Sequence, residues 1–160
     1  MSAESDDAGP TSALIRNVTD EREWITAHTG ASGFRTEITA GLHALVADEP
    51  RALGGTGMGP TPYELLLAAL SSCMAMTLRI YADRKGWPLE SVRIQLRTER
   101  AHEKDCEECE LSEVGIPRVA RRIELDGPLT DEQRARLLQI ADRCPVKQTL
   151  TRGIVVETVE

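Results

Sequence analysis

A run of apolar residues in the middle of the chain constrains the fold more than any other feature. The stretch Pro62–Lys85 has the composition of one long helix, and up to Leu78 that helix is apolar on nearly every side. Such a helix is buried all round in a folded protein. Gly86 and Pro88 predict its end. Because a domain of 160 residues has little material to surround a helix completely, the pattern indicates a second subunit packed against it.

Short strands are predicted before and after this helix. Segments separated by glycines precede it and have the pattern of an antiparallel meander. Segments with alternating apolar and polar residues follow it, and these predict strands with one buried face. The predicted strands are residues 24–28, 34–40, 43–47, 92–97, 122–126 and 154–159.

A second helix is predicted from a capping box. Thr130 and Gln133 have the spacing in which each side chain satisfies a backbone donor of the other. The helix behind them carries apolar residues on one face, namely Leu137, Ile140, Ala141 and Cys144. The order βββ-α-ββ-αα-β is not a βαβ alternation, so it favours an α+β fold.

The composition of the chain argues against several kinds of binding partner. The net charge of −7 argues against nucleic acid or an anionic membrane as an obligatory partner. Residues 1–20 lack the features of a secretory signal and are expected to form a flexible tail before a single domain of residues 21–160. Residues 65–78 are too few and too polar for a membrane span. Four cysteines without a signal indicate reduced thiols in the cytoplasm.

Two cysteines in different settings are the strongest candidates for chemistry. Cys73 lies in the apolar helix, where a thiol is usually inert packing. Cys144 lies between Arg143 and Lys147 at a helix end, an exposed and cationic setting that favours the thiolate. If the fold brings them together, one thiol can attack an oxidant and the other can resolve the product as a disulfide. The spacing alone does not decide whether they meet.

One further segment carries candidate zinc ligands. His102, Cys106 and Cys109 have the spacing H-x3-C-x2-C, to which Glu110, Asp105 or a residue of a partner would add a fourth zinc ligand. Thiol exchange between the two cysteines is an alternative, and so is a solvated hairpin tip with spare thiols.

The segment before the long helix is rich in glycine. Residues 54–59 lack the lysine and the spacing of a phosphate-binding loop, so loop flexibility is enough to explain the glycines. Asp48 and Glu49 are expected on a solvated turn at its start.

Two motifs resemble those of the OsmC/Ohr family, the osmotically inducible and organic hydroperoxide resistance proteins. They are GPTPYELLLAALSSC, which ends at Cys73, and RCPVKQTL, which contains Cys144. The resemblance implies an OsmC-like fold, with antiparallel sheets wrapped around long central helices in an intertwined homodimer. It also implies a thiol-dependent peroxidase of oxidative-stress defence that reduces small organic hydroperoxides, uses an external dithiol and needs no cofactor.

The resemblance also assigns roles to residues. It implies that Cys73 is the peroxidatic cysteine and Cys144 the resolving one, with an arginine held by a glutamate beside the thiolate. The family's glutamate position is occupied by Tyr63 here, and Glu64 follows it, about 100° further round the helix. Arg51 lies one residue from the arginine of the OsmC branch.

Arg35, nearer the position used in the Ohr branch, is the rival of Arg51. The candidate catalytic residues are therefore Cys73, Cys144, Arg51 and Glu64. The shifted glutamate supports an alternative, a dimeric binding or regulatory module that keeps the fold without the turnover.

Overall fold

The computed structural model describes residues 24–99 and 118–158, which form two compact units with their boundary between Tyr63 and Glu64. In chain order the elements are β1 Ile25–Thr29, β2 Thr36–Ala40, β3 His43–Ala47, α1 Pro62–Lys85, β4 Ser91–Glu99, β5 Arg118–Asp126, α2 Asp131–Ala141 and α3 Pro145–Arg152. The α+β class predicted from the sequence is confirmed. The single domain of residues 21–160 stays a prediction, and the tail of residues 1–20 lies outside the described residues.

The first unit is a three-stranded antiparallel meander in the order β1-β2-β3. The strands begin within two residues of the predicted positions, and the register pairs Ile25 with Ala40 and Thr36 with Ala47. The predicted meander is confirmed.

Asp48, expected on a solvated turn, is instead buried and organises the loop that follows β3. Its carboxylate accepts hydrogen bonds from the Thr56 hydroxyl and from the backbone N–H groups of Glu49, Thr56 and Met58. Hydrogen bonding by the Thr56 hydroxyl and by the Met58 N–H, against the opposing effect of burial, lowers the pKa of Asp48 to about 2. This carboxylate therefore stays ionised across the physiological range and holds the loop closed.

The glycines of this loop have a packing role rather than only a flexible one. A Cβ atom at Gly55 would lie 1.9 Å from the carbonyl oxygen of Glu49, and one at Gly59 would lie 2.2 Å from that of Val46. Only glycine allows the backbone to approach so closely. The expectation of simple loop flexibility is therefore wrong at these two positions.

The bounds of α1 are those predicted from the sequence, and its C-terminal end shows why. Gly86 adopts φ 64°, and its N–H donates to the carbonyl oxygen of Asp83 while the Trp87 N–H donates to that of Ala82. These two bonds form a Schellman motif. The Trp87 ring then packs edge-on against Tyr81, with 5.5 Å between ring centroids.

In the second unit, α1 and α2 pack against one face of the β4–β5 pair. The buried core contains Leu78 and Ala82 from α1, together with Leu137, Ile140 and Ala141 from α2. The strand residues packed against this core alternate along the chain and pair across the two strands: Val92 with Leu125 and Ile94 with Ile123. The predicted capping box is confirmed, since Thr130 and Gln133 exchange both hydrogen bonds at the start of α2.

Two adjacent leucines of α2 offer a matched test of this core. Leu137 is 0% exposed and Leu138 is 43% exposed. We expect Leu137→Ala to lower the free energy of unfolding by about 3 kcal/mol, because it removes buried apolar surface and leaves a cavity. Leu138→Ala should cost less than about 1 kcal/mol, since it changes helix propensity in the same way without a cavity. Urea denaturation measures both, and equal losses would contradict this packing.

The single chain buries one face of α1, so burial on every side, which needs a second subunit, stays a prediction. The buried residues of the helix are Leu70, Met74, Leu78 and Ala82, which lie on one face. By length and composition α1 could cross a membrane, although core helices of soluble proteins share that property. That residues 65–78 do not span a membrane stays a prediction.

The predicted final strand is also absent from the described part of the chain. Residues 153–158 follow α3 without forming a strand, and Val155 and Val156 are 84% and 89% exposed. Their alternating pattern is typical of a strand, but a strand needs a partner for its hydrogen bonds, and no described segment of the chain pairs with them.

Candidate functional site

The structure brings Cys73 and Cys144 together within the second unit. Cys73 lies midway along α1 and packs against a small buried cluster formed by Leu70, Met74 and Cys144. Cys144 is fully buried, whereas Cys73 is partly exposed. One thiol of the pair can therefore be reached from solvent while its neighbour is enclosed.

Local sequence explains how each cysteine reaches this place. Leu70, Cys73 and Met74 follow one another at helical spacing, so they share the face of α1 that packs inward. Cys144 occupies the N-cap position of α3, with Pro145 as the first helical residue. Proline suits that position because the N–H it lacks would have no partner within the helix. The turn between α2 and α3 thus delivers Cys144 to the middle of α1.

The surroundings of the two thiols shift their pKa values in opposite directions. Burial raises the pKa of Cys73, but hydrogen bonding from the Val146 N–H and from the Cys144 and Thr77 side chains outweighs it, so the net effect lowers that pKa. Burial also raises the pKa of Cys144, and the neighbouring Cys73 adds to this, against the opposing influence of the Lys147 N–H. Of the two thiols, Cys73 is therefore the one that ionises more readily.

The exposed, cationic setting expected for Cys144 is wrong. Its side chain is 0% exposed, and the Lys147 ammonium donates to the Asp142 carboxylate at 2.5 Å. Arg121 forms an ion pair with the same carboxylate at 2.7 Å. Hydrogen bonds from Arg121 and Lys147 hold the pKa of Asp142 below its usual value. The cationic charge that the sequence places next to Cys144 is thus used to fix the turn that carries it.

The two charged candidates lie in different units. Arg51 begins a short 3-10 helix in the first unit and is exposed, and Glu64 lies exposed in the first turn of α1 in the second unit. Their pairing, and the approach of Arg51 to Cys73, stay predictions. The rival Arg35 has a partner of its own, since it forms an ion pair with Glu37 at 2.7 Å.

Within residues 24–99 and 118–158, no group of three or more His, Cys, Asp or Glu side chains is arranged to hold a metal ion. The proposed zinc ligands His102, Cys106 and Cys109 lie outside the described residues.

Sequence reasoning missed two contributors to the site. Thr77 is a polar residue in an otherwise apolar run, and its spacing of four residues from Cys73 places both on one face of α1. Val146 acts through its backbone N–H, which no side-chain pattern reveals. An indirect sequence signal for this contact is Pro145, which begins a helix directly after Cys144.

Comparisons with known proteins agree on one family. The sequence model described as OsmC-like protein matches residues 55–159, well over half of the chain. An OsmC-like protein of Mycoplasma pneumoniae has a similar structure, with a TM-score of 0.65 at 18% identity over 80% of this chain and 86% of that one. No protein with a curated description matches the sequence.

Two further solved structures are named for hydroperoxide resistance. The organic hydroperoxide resistance protein OsmC of Legionella pneumophila gives a TM-score of 0.54 at 25% identity, over 81% of this chain and 88% of that one. An organic hydroperoxide resistance protein of Elizabethkingia anophelis gives 0.58 at 20% identity, over 81% and 89%. The OsmC-like fold implied by the sequence motifs is confirmed.

Proposed function

Because this chain belongs to the OsmC-like protein family, we propose that it is a thiol-dependent peroxidase that reduces small organic hydroperoxides in oxidative-stress defence. One observation carries the proposal. Two thiols lie side by side, and the pKa of the more exposed one, Cys73, is lowered while that of the buried one, Cys144, is raised. Opposite shifts in a pair of adjacent titratable groups are typical of a nucleophile and its proton-bearing partner.

The first step uses the Cys73 thiolate as the nucleophile. Its sulfur attacks the terminal, hydrogen-bearing oxygen of the hydroperoxide, so that an S–O bond forms and the O–O bond breaks. The sulfur is oxidised to a sulfenic acid, and the substrate leaves as an alkoxide that takes up a proton to become an alcohol.

The second step uses the neighbouring thiol. The sulfur of Cys144 attacks the sulfenic sulfur of Cys73, the hydroxyl group leaves with the thiol proton as water, and a disulfide forms. An external dithiol then reduces the disulfide by exchange and returns both thiols. This cycle requires no metal and no organic cofactor.

The lining of the pair supports an organic substrate. The partly buried residues packed around the two cysteines are apolar: Ile94, Leu96 and Val146. Such side chains favour an alkyl group over the second hydrogen of hydrogen peroxide, because they gain by contact with apolar surface. Consumption of cumene or tert-butyl hydroperoxide with a dithiol supplied tests the proposal, with hydrogen peroxide as the comparison.

A second candidate function is a binding or regulatory module without turnover. The observation that favours it is Tyr63, which occupies the position where the family resemblance implies a glutamate. Failure to consume any of several alkyl hydroperoxides, with all thiols reduced, would support this module and exclude the peroxidase.

We also propose that the chain acts as a homodimer in which a second subunit covers α1. The exposed side of α1 carries large apolar residues, among them Met76 at 63% and Ile80 at 51% exposure. Burying such a face gives the apolar contact of an obligate dimer. Sedimentation at low micromolar concentration should give twice the 17.6 kDa of one chain. Met76→Lys should weaken that dimer, and a folded wild-type monomer under these conditions would contradict it.

The proposed chemistry also suggests where the protein works. Cys73 and Cys144 are both free thiols, and the cycle returns them to that state with a dithiol reductant. We therefore propose a cytoplasmic location, where thiols are kept reduced.

A further inference from the structure

Thr77 places a hydroxyl group beside the candidate nucleophile. It lies on α1 four residues after Cys73, and its side-chain oxygen donates a hydrogen bond to the Cys73 carbonyl oxygen at 2.8 Å. Back-bonding of this kind lets a polar side chain remain in an apolar helix. It also fixes the position of the hydroxyl over the turn that carries the thiol.

The hydroxyl has one proton and two acceptors within reach. Residues four apart on a helix face each other, so the Thr77 side chain adjoins the Cys73 sulfur as well as the Cys73 carbonyl. That carbonyl also accepts the backbone N–H of Thr77 in the regular hydrogen-bonding pattern of the helix, so it keeps a donor if the hydroxyl turns away. The influence of Thr77 on the thiol is one of the contributions that lower its pKa.

We propose that the Thr77 hydroxyl is a switchable donor: it bonds the Cys73 carbonyl oxygen while Cys73 is a thiol and turns to the Cys73 sulfur when the thiolate forms. A negatively charged acceptor holds a donor more strongly than a neutral carbonyl. Thr77 thereby contributes to setting the pH at which the nucleophile becomes available. The consequence for catalysis rests on the proposed peroxidase function, whereas the effect on thiol ionisation does not.

The other groups around the Cys73 sulfur are compatible with Thr77 as the switchable donor. Among the described residues, Cys144 in the α2–α3 turn is the titratable group that acts on the Cys73 thiol, and α3 contributes the uncharged N–H of Val146. From β4 the neighbouring side chains are Ile94 and Leu96, which are apolar. A hydroxyl donor is therefore effective here, since these neighbours from α3 and β4 carry no charge that competes with it.

The test compares two ways of removing the hydroxyl with one way of keeping it. Thr77→Val preserves the shape of the side chain, Thr77→Ala is a second hydroxyl-free variant in a better helix former, and Thr77→Ser keeps the hydroxyl. Thr151→Val is the matched control, because Thr151 makes the same kind of back-bond on α3, to the Lys147 carbonyl oxygen at 3.0 Å. The measurement is the pH profile of alkylation by iodoacetamide at Cys73, followed on its own peptide by mass spectrometry in the fully reduced chain.

We expect the midpoint of that profile to rise by about one pH unit in Thr77→Val and Thr77→Ala, with an alkylation rate about tenfold lower below the midpoint. Thr77→Ser and Thr151→Val should match the wild type. An unchanged midpoint in both hydroxyl-free variants would overturn the inference, and so would a shift in Thr77→Ser as large as theirs. If the midpoint shifts as expected but the wild type consumes no hydroperoxide, the proposed function fails and this inference stands.

Discussion

Cys73→Ser is expected to abolish hydroperoxide consumption, with a loss of at least about a thousandfold relative to the wild type. A serine hydroxyl at this position is not ionised near neutral pH, and the described groups that act on it, the Val146 N–H and the Cys144 and Thr77 side chains, are not bases that could activate it. The hydrogen bonding that lowers the pKa of the Cys73 thiol is too weak to ionise an alcohol. The measurement is the consumption of an alkyl hydroperoxide with an external dithiol present.

Cys144→Ser should separate the two steps of the cycle. Because the attacking thiol is retained, we expect one equivalent of hydroperoxide to be consumed per chain, followed by slow turnover. The sulfenic acid on Cys73 should then persist and react with dimedone, since no neighbouring thiol condenses with it. Cys109→Ser serves as the cysteine control and should keep the wild-type rate. In the Cys73→Ser variant, which keeps Cys144, hydroperoxide-dependent dimedone labelling of Cys144 would reverse the assigned roles.

Features set by local chemistry could be predicted from the sequence. Both ends of α1 follow from nearby residues, since Pro62 suits the first turn and Gly86 supports the left-handed conformation of a Schellman motif. The capping box of α2 is likewise contained within four residues, Thr130 to Gln133. In each such segment the conformational preference of the residues outweighs the effect of tertiary contacts.

Features set by distant contacts could not be predicted in the same way. The burial of Cys144 depends on the turn between α2 and α3 lying against α1, and its neighbouring charges gave the opposite expectation because Asp142 pairs with Lys147. Asp48 seemed typical of a solvated turn, yet four donors from the following loop enclose it. The pairing of Cys73 with Cys144 came from motif resemblance, not from spacing.

Which charged residues lie beside the thiol also depends on distant contacts, so the sequence alone does not decide it. The family resemblance implies an arginine held by a glutamate beside the thiolate, and this chain offers Arg51 and Glu64. Within the second unit the Cys73 sulfur already receives an uncharged donor, the Val146 N–H, and by our proposal the thiolate also receives the Thr77 hydroxyl. We therefore expect the arginine to act mainly on the departing alkoxide, whose charge develops away from those donors.

Arg51→Lys is expected to lower the rate of hydroperoxide consumption by about ten- to a hundredfold, the effect of losing one charge-assisted hydrogen bond. A guanidinium can hold Glu64 with one edge and face the reacting sulfur with another, whereas an ammonium lacks this fork geometry. Glu64→Gln should lose less, because it keeps an acceptor and gives up only charge. Arg51→Ala should also raise the pKa of Cys73, which is seen as slower alkylation near neutral pH.

Arg35→Lys is the control that distinguishes Arg51 from its rival Arg35. Arg35 already forms an ion pair with Glu37 at 2.7 Å, and both side chains are about half exposed or more. An exposed pair of this kind contributes little to stability, so the lysine variant should fold normally and keep the wild-type rate. If Arg35→Lys lowers the rate while Arg51→Ala leaves both the rate and the alkylation of Cys73 unchanged, the thiolate is served by Arg35 and the assignment of Arg51 is wrong.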